Sequence, residues 1–403
     1  MHMAVFETIP AQSTYDVVIV GGAIMGSSLA WHLAANNDFD GSVLVVERDP
    51  SYQHCSTAHS NSCLRQQFSS PINIQISQYA AEYVARFREA LGDARVPEIH
   101  RHYFGYLYLA DTPAFAEHLQ NIGSIQAKMG SGTVLLSADE IAQRYGFYRL
   151  DDILLGSLGT RDEGYFDGGL MFEWWRRKAR ERGVEFVSNA VIGIDVTGSR
   201  AEAVRLASGE RVECGWVVNA AGPRAAEVAA MAGLELPVEP RKRYTWVFEA
   251  EHPPTRNMPL TIDPSGVHVR SDGGYFMAGA TPDHDPPVAT DDFAPDLSLW
   301  EDKVWPALAH RIPAFEAVRV VNEWVGHYAY NVVDQNAIIG PDDQVENLLW
   351  ANGFSGHGLQ QSPAVGRGLA EWIVSGTYQT LDLAPLGIRR IRDGNVRSET
   401  AVI

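Results

Sequence analysis

The chain has 403 residues, of which 45% are hydrophobic and 20% are charged, and these values predict a globular protein with a large core and two domains. Lys and Arg number 32 against 50 Asp and Glu, and the formal net charge of −18 disfavours a polyanionic partner such as nucleic acid. No apolar run approaches the ~18 residues of a membrane span, the histidines show no metal-ligand spacing, and the three cysteines are too few for a disulfide framework. We therefore expect a cytoplasmic protein without a bound metal, and we expect residues 1–13, which lack a basic-then-apolar signal, to form a short tail.

The first predicted element is a strand over 17–20 that runs into a glycine-rich turn and a helix-forming segment. The pattern G-x-G-x-x-G maps onto Gly21, Ala23 and Gly26, so that an alanine replaces the middle glycine. Glycines in such a turn let the backbone approach a pyrophosphate, which then binds free amides at the helix N-terminus. The stretch therefore predicts a dinucleotide site, to which the alanine adds one methyl group.

A second predicted strand, over 43–46, ends in Glu47, about 20 residues after the glycine turn. A carboxylate at that place accepts hydrogen bonds from the ribose of an adenine nucleotide. The glycine turn together with Glu47 is a more specific signal for a dinucleotide site than the turn alone. The alternative interpretation is a structural glycine turn beside a surface glutamate.

The elements that follow alternate between helices and strands, interrupted by one long polar loop. In chain order we predict the loop over 51–68, a helix from Pro71 with Ser70 as its cap, a strand over 103–109, helices over 114–129 and 138–145, a helix that ends at Arg182, and a strand over 184–187. A polar loop of this length beside a nucleotide fold is usually functional.

The amino-acid composition and the predicted elements change twice in the second half of the chain. Three short strands over 191–196, 203–207 and 211–213 suggest an antiparallel excursion, and a buried strand over 217–222 ends in another small-residue turn. Residues 238–325 are rich in aromatic and β-forming residues, whereas strands over 336–340 and 347–351 and a helix over 363–374 are again typical of a nucleotide domain. We predict a nucleotide-binding domain made of 14–99, 151–236 and 324–403, and a second domain made of 100–150 and 237–323.

Several segments resemble the FAD-dependent D-amino-acid oxidase superfamily, which includes glycine oxidase, sarcosine oxidase and the dimethylglycine dehydrogenases. They are VVIVGGAIMGSS with Glu47, STAHSNS at 56–62, NAAG at 219–222 and NGFSGHGLQQSPAVGR at 352–367. The resemblance implies an α/β fold with a Rossmann-like FAD-binding domain and a mainly antiparallel β-sheet substrate domain. More narrowly, segments 237–244, 301–308, 311–316 and 330–341 resemble a mitochondrial subgroup of this family that is linked to assembly of a respiratory complex.

The resemblance implies one FAD per chain, and the sequence supports FAD over a nicotinamide because a second glycine turn precedes the last helix. Backbone amides and the positive helix end there would stabilise negative charge on the reduced flavin; the alternative is a turn that serves packing alone. The implied cofactor residues are Gly21, Gly22, Ala23, Ile24, Met25, Gly26, Glu47, Arg48, Ser56, Thr57, His59, Ser60, Asn61, Val191, Ala220, Ala221, Gly222, Gly353, Phe354, Ser355, Gly356, His357, Gly358 and Leu359.

For the substrate, the resemblance points to Arg65, since an arginine in the corresponding loop of sarcosine oxidases binds the substrate carboxylate. A guanidinium fork suits that task, and a surface salt bridge is the alternative. Tyr328, Tyr330, His357 and Gln360 stand where family members line the substrate side of the flavin. Gln360 replaces a lysine that helps to hold the carboxylate in sarcosine oxidase, which implies a weaker or differently built clamp.

The implied reaction is hydride transfer from a C–H next to nitrogen to flavin N5, which requires no dedicated acid–base residue. Residues 275–280 lack the lysine that activates oxygen in sarcosine oxidase, which favours a dehydrogenase that uses a carrier or quinone, or a slow oxidase that uses O2. His59 stands where dimethylglycine dehydrogenases attach their flavin, so it is either a covalent attachment point or a neighbour of the cofactor. We expect oxidation of a small amine or amino acid (N-alkyl or D-amino acid); the alternatives are a 2-hydroxy acid dehydrogenase and a flavin-bearing assembly factor.

Overall fold

The computed structural model describes residues 6–254 and 258–401, which form two large β-sheets and one small sheet with helices packed against them. The strands are β1 (Thr14–Val20), β2 (Val43–Glu47), β3 (Cys63–Leu64), β4 (Arg101–His102), β5 (Tyr106–Ala110), β6 (Thr133–Leu136), β7 (Leu155–Gly159), β8 (Gly164–Phe166), β9 (Glu185–Ser188), β10 (Val191–Thr197), β11 (Arg200–Leu206), β12 (Arg211–Asn219), β13 (Val238–Ala250), β14 (Leu260–Ile262), β15 (Val267–Asp272), β16 (Tyr275–Ala280), β17 (Val318–Asn331), β18 (Ile338–Pro341) and β19 (Leu348–Asn352). The α-helices are α1 (Ile24–Ala34), α2 (Pro71–Ala85), α3 (Phe87–Leu91), α4 (Pro113–Lys128), α5 (Ala138–Arg144), α6 (Gly168–Glu181), α7 (Ala225–Met231), α8 (Trp305–Arg311), α9 (Gly358–Ser375) and α10 (Arg389–Arg392).

The first sheet has a parallel centre in which β12 pairs with β19 and β1, β1 pairs with β2, and β2 pairs with β9. Its central strands are continuous apolar runs because both faces are covered. Val17 and Ile19 of β1 pack in the core under α1, α6 and α9, whereas Val18 and Val20 pack in the core on the opposite face beside α7. The carboxyl ends of the parallel strands meet at one edge, which in open α/β sheets is the place where ligands bind.

The second sheet runs in the order β17-β13-β16-β15-β14-β5-β7-β6 and is antiparallel except where β14 pairs with β5. β13 and β17 pair along almost their full length, from Val238 opposite Asn331 to Ala250 opposite Val318. One face packs with α8 and the other with α4. The predicted aromatic, β-rich region therefore forms a separate sheet.

Strand pairing modifies some predicted bounds. β12 is one strand where two were predicted, and β5 begins only at Tyr106, because Gly105 has a φ of +85° that interrupts the extended run. β7 and all of β17 belong to the second sheet, although 151–236 and 324–403 are predicted as parts of the nucleotide domain. The domain boundaries themselves stay a prediction.

The last long helix begins at Gly358, five residues before the predicted start at Pro363. A proline inside a helix lacks the N–H that would bond to the carbonyl four residues earlier, here that of Leu359. The hydroxyl of Ser362 donates to that carbonyl at 2.8 Å instead. The helix therefore continues through the proline, and its N-terminus lies next to the second glycine turn.

The prediction that residues 1–13 form a short tail is wrong for residues 6–13, which the structure describes. Phe6 is buried, and its ring stacks on Phe186 with a centroid distance of 5.7 Å. Glu7 forms a parallel bridge with Val187 beside β9. Residues 1–5 lie outside the described residues, and the segment after them packs on the edge of the first sheet.

Candidate active site

A cavity of about 560 Å³ lies between the two large sheets, at the edge where β1, β2 and β12 end. Residues of β13, β15 and β17 line its other side. All the predicted site residues line this cavity except Gly22, Gly26, Gly353 and Tyr330. The two predicted glycine turns, which lie near opposite ends of the chain, therefore meet at one cavity.

The first glycine turn shows why Gly26 matters without lining the cavity. Gly21 has a φ of +99°, and a Cβ there would lie 2.6 Å from the carbonyl oxygen of Ala220. A Cβ on Gly26 would lie 1.9 Å from the carbonyl oxygen of Gly21, so only glycine lets α1 pack so close to the turn. Ala23 precedes α1 with an ordinary φ of −67° and needs no glycine. The turn is a tight backbone cradle that opens to the cavity at Gly21 and Ala23.

Glu47 ends β2 beside this turn and is buried. Its Oε2 accepts a hydrogen bond from the N–H of Gly22 at 2.8 Å, and its Oε1 accepts one from the N–H of Asp49 at 2.8 Å. Burial raises the pKa of this carboxyl, and the two backbone donors oppose the rise. Each carboxylate oxygen keeps further lone-pair capacity, so Glu47 can accept from ribose hydroxyls while it holds the turn.

The polar loop between β2 and β3 joins this turn to the second sheet. The hydroxyl of Thr57 accepts a hydrogen bond from the N–H of Ile24 at 3.2 Å, and the hydroxyl of Ser56 donates to the carbonyl of His327 at 2.6 Å. His59 lines the cavity between them, and its Nδ1 lies 3.1 Å from a backbone carbonyl of the same loop. Burial lowers the pKa of His59, so its imidazole is neutral at pH 7.

The second glycine turn places the start of α9 at the cavity. Gly356 has a φ of +96°, and a Cβ there would lie 2.5 Å from the ring of Tyr328. The hydroxyl of Ser355 accepts a hydrogen bond from the N–H of Asn331 at 3.0 Å and fixes the turn on β17. His357 is the N-cap residue of α9. The positive end of this helix is therefore available to stabilise an anion in the cavity.

Arg65 follows β3 directly and is only 2% exposed. Its Nη2 lies 2.7 Å from Nε2 of His357 and also donates to the carbonyl of Ala401, while its Nη1 donates to the hydroxyl of Tyr108. The ring of Phe68 lies 4.4 Å from the guanidinium carbon. Within residues 6–254 and 258–401, Arg65 forms no ion pair with a carboxylate, so its positive charge has only uncharged partners.

The remaining substrate candidates differ in position. Gln360 uses its Oε1 to accept a hydrogen bond from the backbone N–H of Arg65 at 2.9 Å, so it fixes the loop that carries Arg65. Tyr328 lines the cavity. Tyr330 does not, because it lies further along β17, where its ring packs against the guanidinium of Arg241 at 4.9 Å. The expectation that Tyr330 lines the substrate side is therefore wrong.

Sequence reasoning missed three residues of this region. Tyr108 is one of them, since the alternation of YLYL in β5 predicts a strand but no partner for Arg65. Arg243 lines the cavity and pairs with both oxygens of Asp285, at 2.9 and 3.0 Å. Glu163 is buried behind the loop that carries Arg65, and burial raises the pKa of its carboxyl to about 7. A polar residue in a glycine-rich segment gives no sequence signal of such burial.

The family model described as FAD dependent oxidoreductase matches residues 16–372 of this chain. The chain belongs to this family. Its FAD-dependent relatives and its fold agree with the resemblance found in the sequence. FAD-dependent oxidoreductase domain-containing protein 1 of Xenopus laevis is 38% identical, over 93% of this chain and 82% of the relative. Sarcosine dehydrogenase, mitochondrial, of Mus musculus is 25% identical, over 94% of this chain and 42% of the relative. The crystal structure of L-proline dehydrogenase from P. horikoshii superposes with a TM-score of 0.81 at 24% identity, over 98% of this chain and 100% of that chain.

The cofactor of this flavoprotein is FAD, as predicted. The residues present fit that group. The backbone cradle at Gly21 excludes any Cβ, Glu47 supplies carboxylate oxygens next to it, and the N-terminus of α9 faces the cavity from the other end of the chain. The predicted fold class, a Rossmann-like FAD domain with a mainly antiparallel second sheet, is confirmed.

Within the described part of this flavoprotein, no helix is long and apolar enough to cross a bilayer. Residues 6–254 and 258–401 contain no group of three or more His, Cys, Asp or Glu side chains arranged to hold a metal ion. The cytoplasmic location stays a prediction.

Proposed function

We propose that this flavoprotein oxidises the C–N bond of a small amine that carries a carboxylate, such as an N-alkyl or D-amino acid. The observation that carries the proposal is the buried charge of Arg65, whose described partners are all uncharged. An ion buried in a protein without a counter-charge costs several kcal/mol of folding free energy. A substrate carboxylate at the cavity wall would offset that cost and would form charge-assisted hydrogen bonds with the guanidinium.

Two neighbours support this role because they hold Arg65 without neutralising it. Burial and the adjacent guanidinium keep the pKa of His357 well below its ordinary value, so its Nε2 remains a neutral acceptor. Burial raises the pKa of Tyr108 to about 12, so its hydroxyl is also uncharged at neutral pH. Arg65 thus has no carboxylate bonded to it, and although its charge lowers the pKa of the nearby Glu163 carboxyl, the guanidinium is left to pair with the carboxylate of a ligand.

The proposed clamp contains one cation. Arg243 also lines the cavity, but Asp285 already neutralises it, and Gln360 is uncharged and bonded to the backbone of Arg65. We therefore expect monocarboxylates to bind in preference to dicarboxylates. Burial lowers the pKa of His268 in the cavity wall to about 4, so this imidazole is uncharged at pH 7 and adds no second cation to the clamp.

FAD, when bound, supplies the hydride acceptor for such a reaction. The chain's own residues bind the carboxylate, orient the amine and exclude water. For the electron acceptor we propose a carrier or quinone, or slow reaction with O2, because β16 (YFMAGA) offers no cationic side chain to the cavity. Reoxidation of the reduced enzyme by air within milliseconds, followed by stopped-flow absorbance, would contradict this part of the proposal.

The decisive test is anaerobic reduction of the FAD-loaded protein by a panel of N-alkylglycines, D-amino acids, 2-hydroxy acids and carboxylate-free amines. We expect loss of the absorbance of oxidised flavin with an amino acid of the first two classes, and none with the carboxylate-free amine. Reduction by 2-hydroxy acids alone would favour the alternative function, that of a 2-hydroxy acid dehydrogenase. The absence of any reduction, combined with a stable complex with respiratory subunits, would favour the assembly role.

We propose non-covalent FAD, with His59 as a neighbour of the cofactor. Its Nδ1 is engaged by a backbone carbonyl, and its ring stacks on Phe293 at a centroid distance of 6.0 Å. Acid precipitation distinguishes non-covalent FAD from FAD that is bound covalently at His59. A yellow supernatant is the expected result, and a yellow pellet would indicate a covalent bond, which the variant His59→Ala should then abolish.

A further inference from the structure

The loop that carries Arg65, residues 65–70, is held between two buried carboxylates. Glu163 accepts a hydrogen bond from the N–H of Gln66 at 2.7 Å and one from the side-chain amide of Gln67 at 3.1 Å. Glu399 lies at the other end of the loop, where it accepts from the N–H and the hydroxyl of Ser69 at 2.8 and 2.7 Å. The backbone position of Arg65 thus depends on a residue that lies more than 300 positions further along the chain.

Glu399 replaces the side-chain cap that the sequence predicts for α2. Ser70 is the N-cap residue, but its hydroxyl donates to Glu399 at 3.3 Å instead of capping the helix. Glu399 also accepts from the side-chain amide of Asn73 at 2.9 Å. A carboxylate at a helix N-terminus is favoured both by the free N–H groups and by the positive end of the helix. Glu399 is only 1% exposed, so this contact anchors it firmly.

The anchored glutamate belongs to an extended segment, residues 397–401, which we call the C-terminal strap. The strap is tied down by the side-chain amide of Asn336, which donates to the carbonyl of Arg397 at 2.7 Å, and by the N–H of Glu399, which donates to the carbonyl of Asp334 at 2.9 Å. Beyond Glu399 the strap crosses the loop that carries Arg65. Its last described carbonyl, that of Ala401, accepts a hydrogen bond from Nη2 of Arg65.

We propose that Glu399 is a positioning residue that seats the C-terminal strap on this loop and so places the carbonyl of Ala401 on Arg65 as an internal competitor of the substrate carboxylate. The inference rests on the proposed function only in that Arg65 is the anion-binding group. Arg65 has few free donors, since Nη1 donates to Tyr108 and to the carbonyl of Gln67, and Nη2 donates to His357 and to Ala401.

A carboxylate is a stronger acceptor for a guanidinium than a neutral carbonyl, because it adds the attraction of an opposite charge and can accept two parallel N–H groups. Of the partners of Arg65, Tyr108 lies on β5, His357 caps α9, and the carbonyl of Gln67 belongs to the loop that carries Arg65 itself. Ala401 belongs to the separate strap, which Glu399 holds through the N–H of Ala401 at 3.1 Å. An incoming carboxylate therefore displaces Ala401 first. Anion binding and release of the strap end are then coupled, and the strength of the Glu399 anchor sets the affinity.

The test uses the FAD-loaded full chain with acetate as the anion probe, titrated through changes in flavin absorbance. Glu399→Gln weakens the anchor but preserves its shape, and we expect the dissociation constant for acetate to fall by roughly three- to tenfold, the fold-change that corresponds to the net contribution of one typical intramolecular hydrogen bond. A purely structural role of Glu399 predicts the opposite sign, since a disordered loop would bind acetate more weakly. Glu346→Gln is the matched control, because Glu346 is an exposed carboxylate that accepts from the hydroxyl of Ser199 at 2.8 Å.

A second readout reports the strap itself. Trypsin cuts after an exposed arginine only where the flanking chain can detach, and Arg397 lies at the start of the strap. We expect acetate to accelerate cleavage after Arg397 in the wild type, and we expect Glu399→Gln to be cleaved rapidly with or without acetate. A chain truncated after Arg397, with its fold checked by circular dichroism, should match Glu399→Gln in acetate affinity.

An unchanged or raised dissociation constant in Glu399→Gln, or cleavage that ignores acetate, would overturn the proposal. So would the absence of any acetate effect on the flavin spectrum in both proteins. These outcomes are separate from flavin reduction by amines. If no amine reduces the flavin but acetate affinity still rises in Glu399→Gln, the proposed function fails while the positioning role of Glu399 stands.

Discussion

The two ends of the cavity are built from different kinds of contact. At the nucleotide end, Gly21, Gly22 and Glu47 are close in sequence and meet through backbone groups, as in the 2.8 Å bond from the N–H of Gly22 to Glu47. At the other end, Arg65 meets side chains and a carbonyl that are 43, 292 and 336 residues away. The first end depends on the absence of Cβ atoms, and the second depends on one charge.

This difference has physical consequences. A backbone cradle is rigid, and any added atom must displace backbone, so changes there should act in an all-or-none manner. A buried charge held by neutral partners is costly to the fold, and its energy changes gradually with pH, ligands and neighbouring charges. We therefore expect substitutions that add atoms to the backbone cradle to abolish FAD binding, and substitutions at the Arg65 end to alter substrate affinity and stability.

The largest effect is expected from Gly26→Ala. The new Cβ would lie 1.9 Å from the carbonyl oxygen of Gly21, so α1 or the turn has to move. We expect purified protein to lose nearly all bound FAD, measured as the ratio of flavin to protein absorbance, and we expect the free energy of unfolding to fall by about 3 kcal/mol or more. The matched control is Gly274→Ala, where a Cβ meets nothing within 4 Å. Full FAD content in Gly26→Ala would contradict the view of an intolerant cradle.

The next effect is expected from Arg65→Met, which removes the charge but keeps a long side chain. Loss of one partner of a buried charged pair costs roughly 2–5 kcal/mol, so kcat/KM for a carboxylate-bearing amine should fall by roughly 30-fold or more. A carboxylate-free analogue, if it reacts at all, should be affected much less. FAD content should remain close to that of the wild type. An equal loss for both amines would show that Arg65 supports the fold and does not bind the carboxylate.

The sequence signals of the nucleotide end are local, so they can be read from the sequence alone, while the contacts of these residues with FAD stay a prediction. An apolar strand, a glycine turn and an acidic residue after the next strand are each readable within about 30 residues, as the dinucleotide fingerprint requires. In the structure Glu47 and the Gly21 turn lie together at the cavity. The start of α9 is less readable, since Pro363 indicates a helix start and only the side chain of Ser362 shows why the helix continues through it.

The Arg65 end is predictable in part. The resemblance to the family identifies Arg65, His357 and Gln360, but not what they contact. Tyr108 and Ala401 become partners of Arg65 only when both sheets and the C-terminal strap are assembled. Contacts between residues so distant in sequence leave no periodicity or spacing to read, and this is why the sequence predicts a role for Arg65 and not its environment.

A third prediction concerns the cost of burying charge behind Arg65. Burial raises the pKa of Glu163 from 4.5 to about 7, so the folded chain holds this proton more tightly than the unfolded chain. Protonation of Glu163 therefore stabilises the folded chain relative to the unfolded chain. This contribution to the unfolding free energy is complete below pH 4.5 and is lost as the pH rises towards 7. Over that range we expect the wild type to lose roughly 3 kcal/mol of unfolding free energy relative to Glu163→Gln, which cannot titrate. Urea unfolding of both proteins at several pH values provides the difference, and parallel pH profiles would contradict the prediction.

The smallest effect is expected from Glu47→Gln, because this change weakens the nucleotide end without adding an atom to the cradle. Both oxygens of Glu47 accept backbone N–H groups, at 2.8 Å from Gly22 and 2.8 Å from Asp49. A glutamine has one acceptor oxygen, so one of the two N–H groups loses its partner, and hydrogen bonds from the ribose hydroxyls lose their charge. We expect FAD to dissociate roughly tenfold more readily, as for one hydrogen bond to a charged group, in fluorescence titrations of the apoprotein. Glu213→Gln, at an exposed carboxylate on β12, is the control and should bind FAD as the wild type does. A loss as severe as that of Gly26→Ala would mean that the nucleotide end also depends on one charge, and the contrast between the two ends of the cavity would disappear.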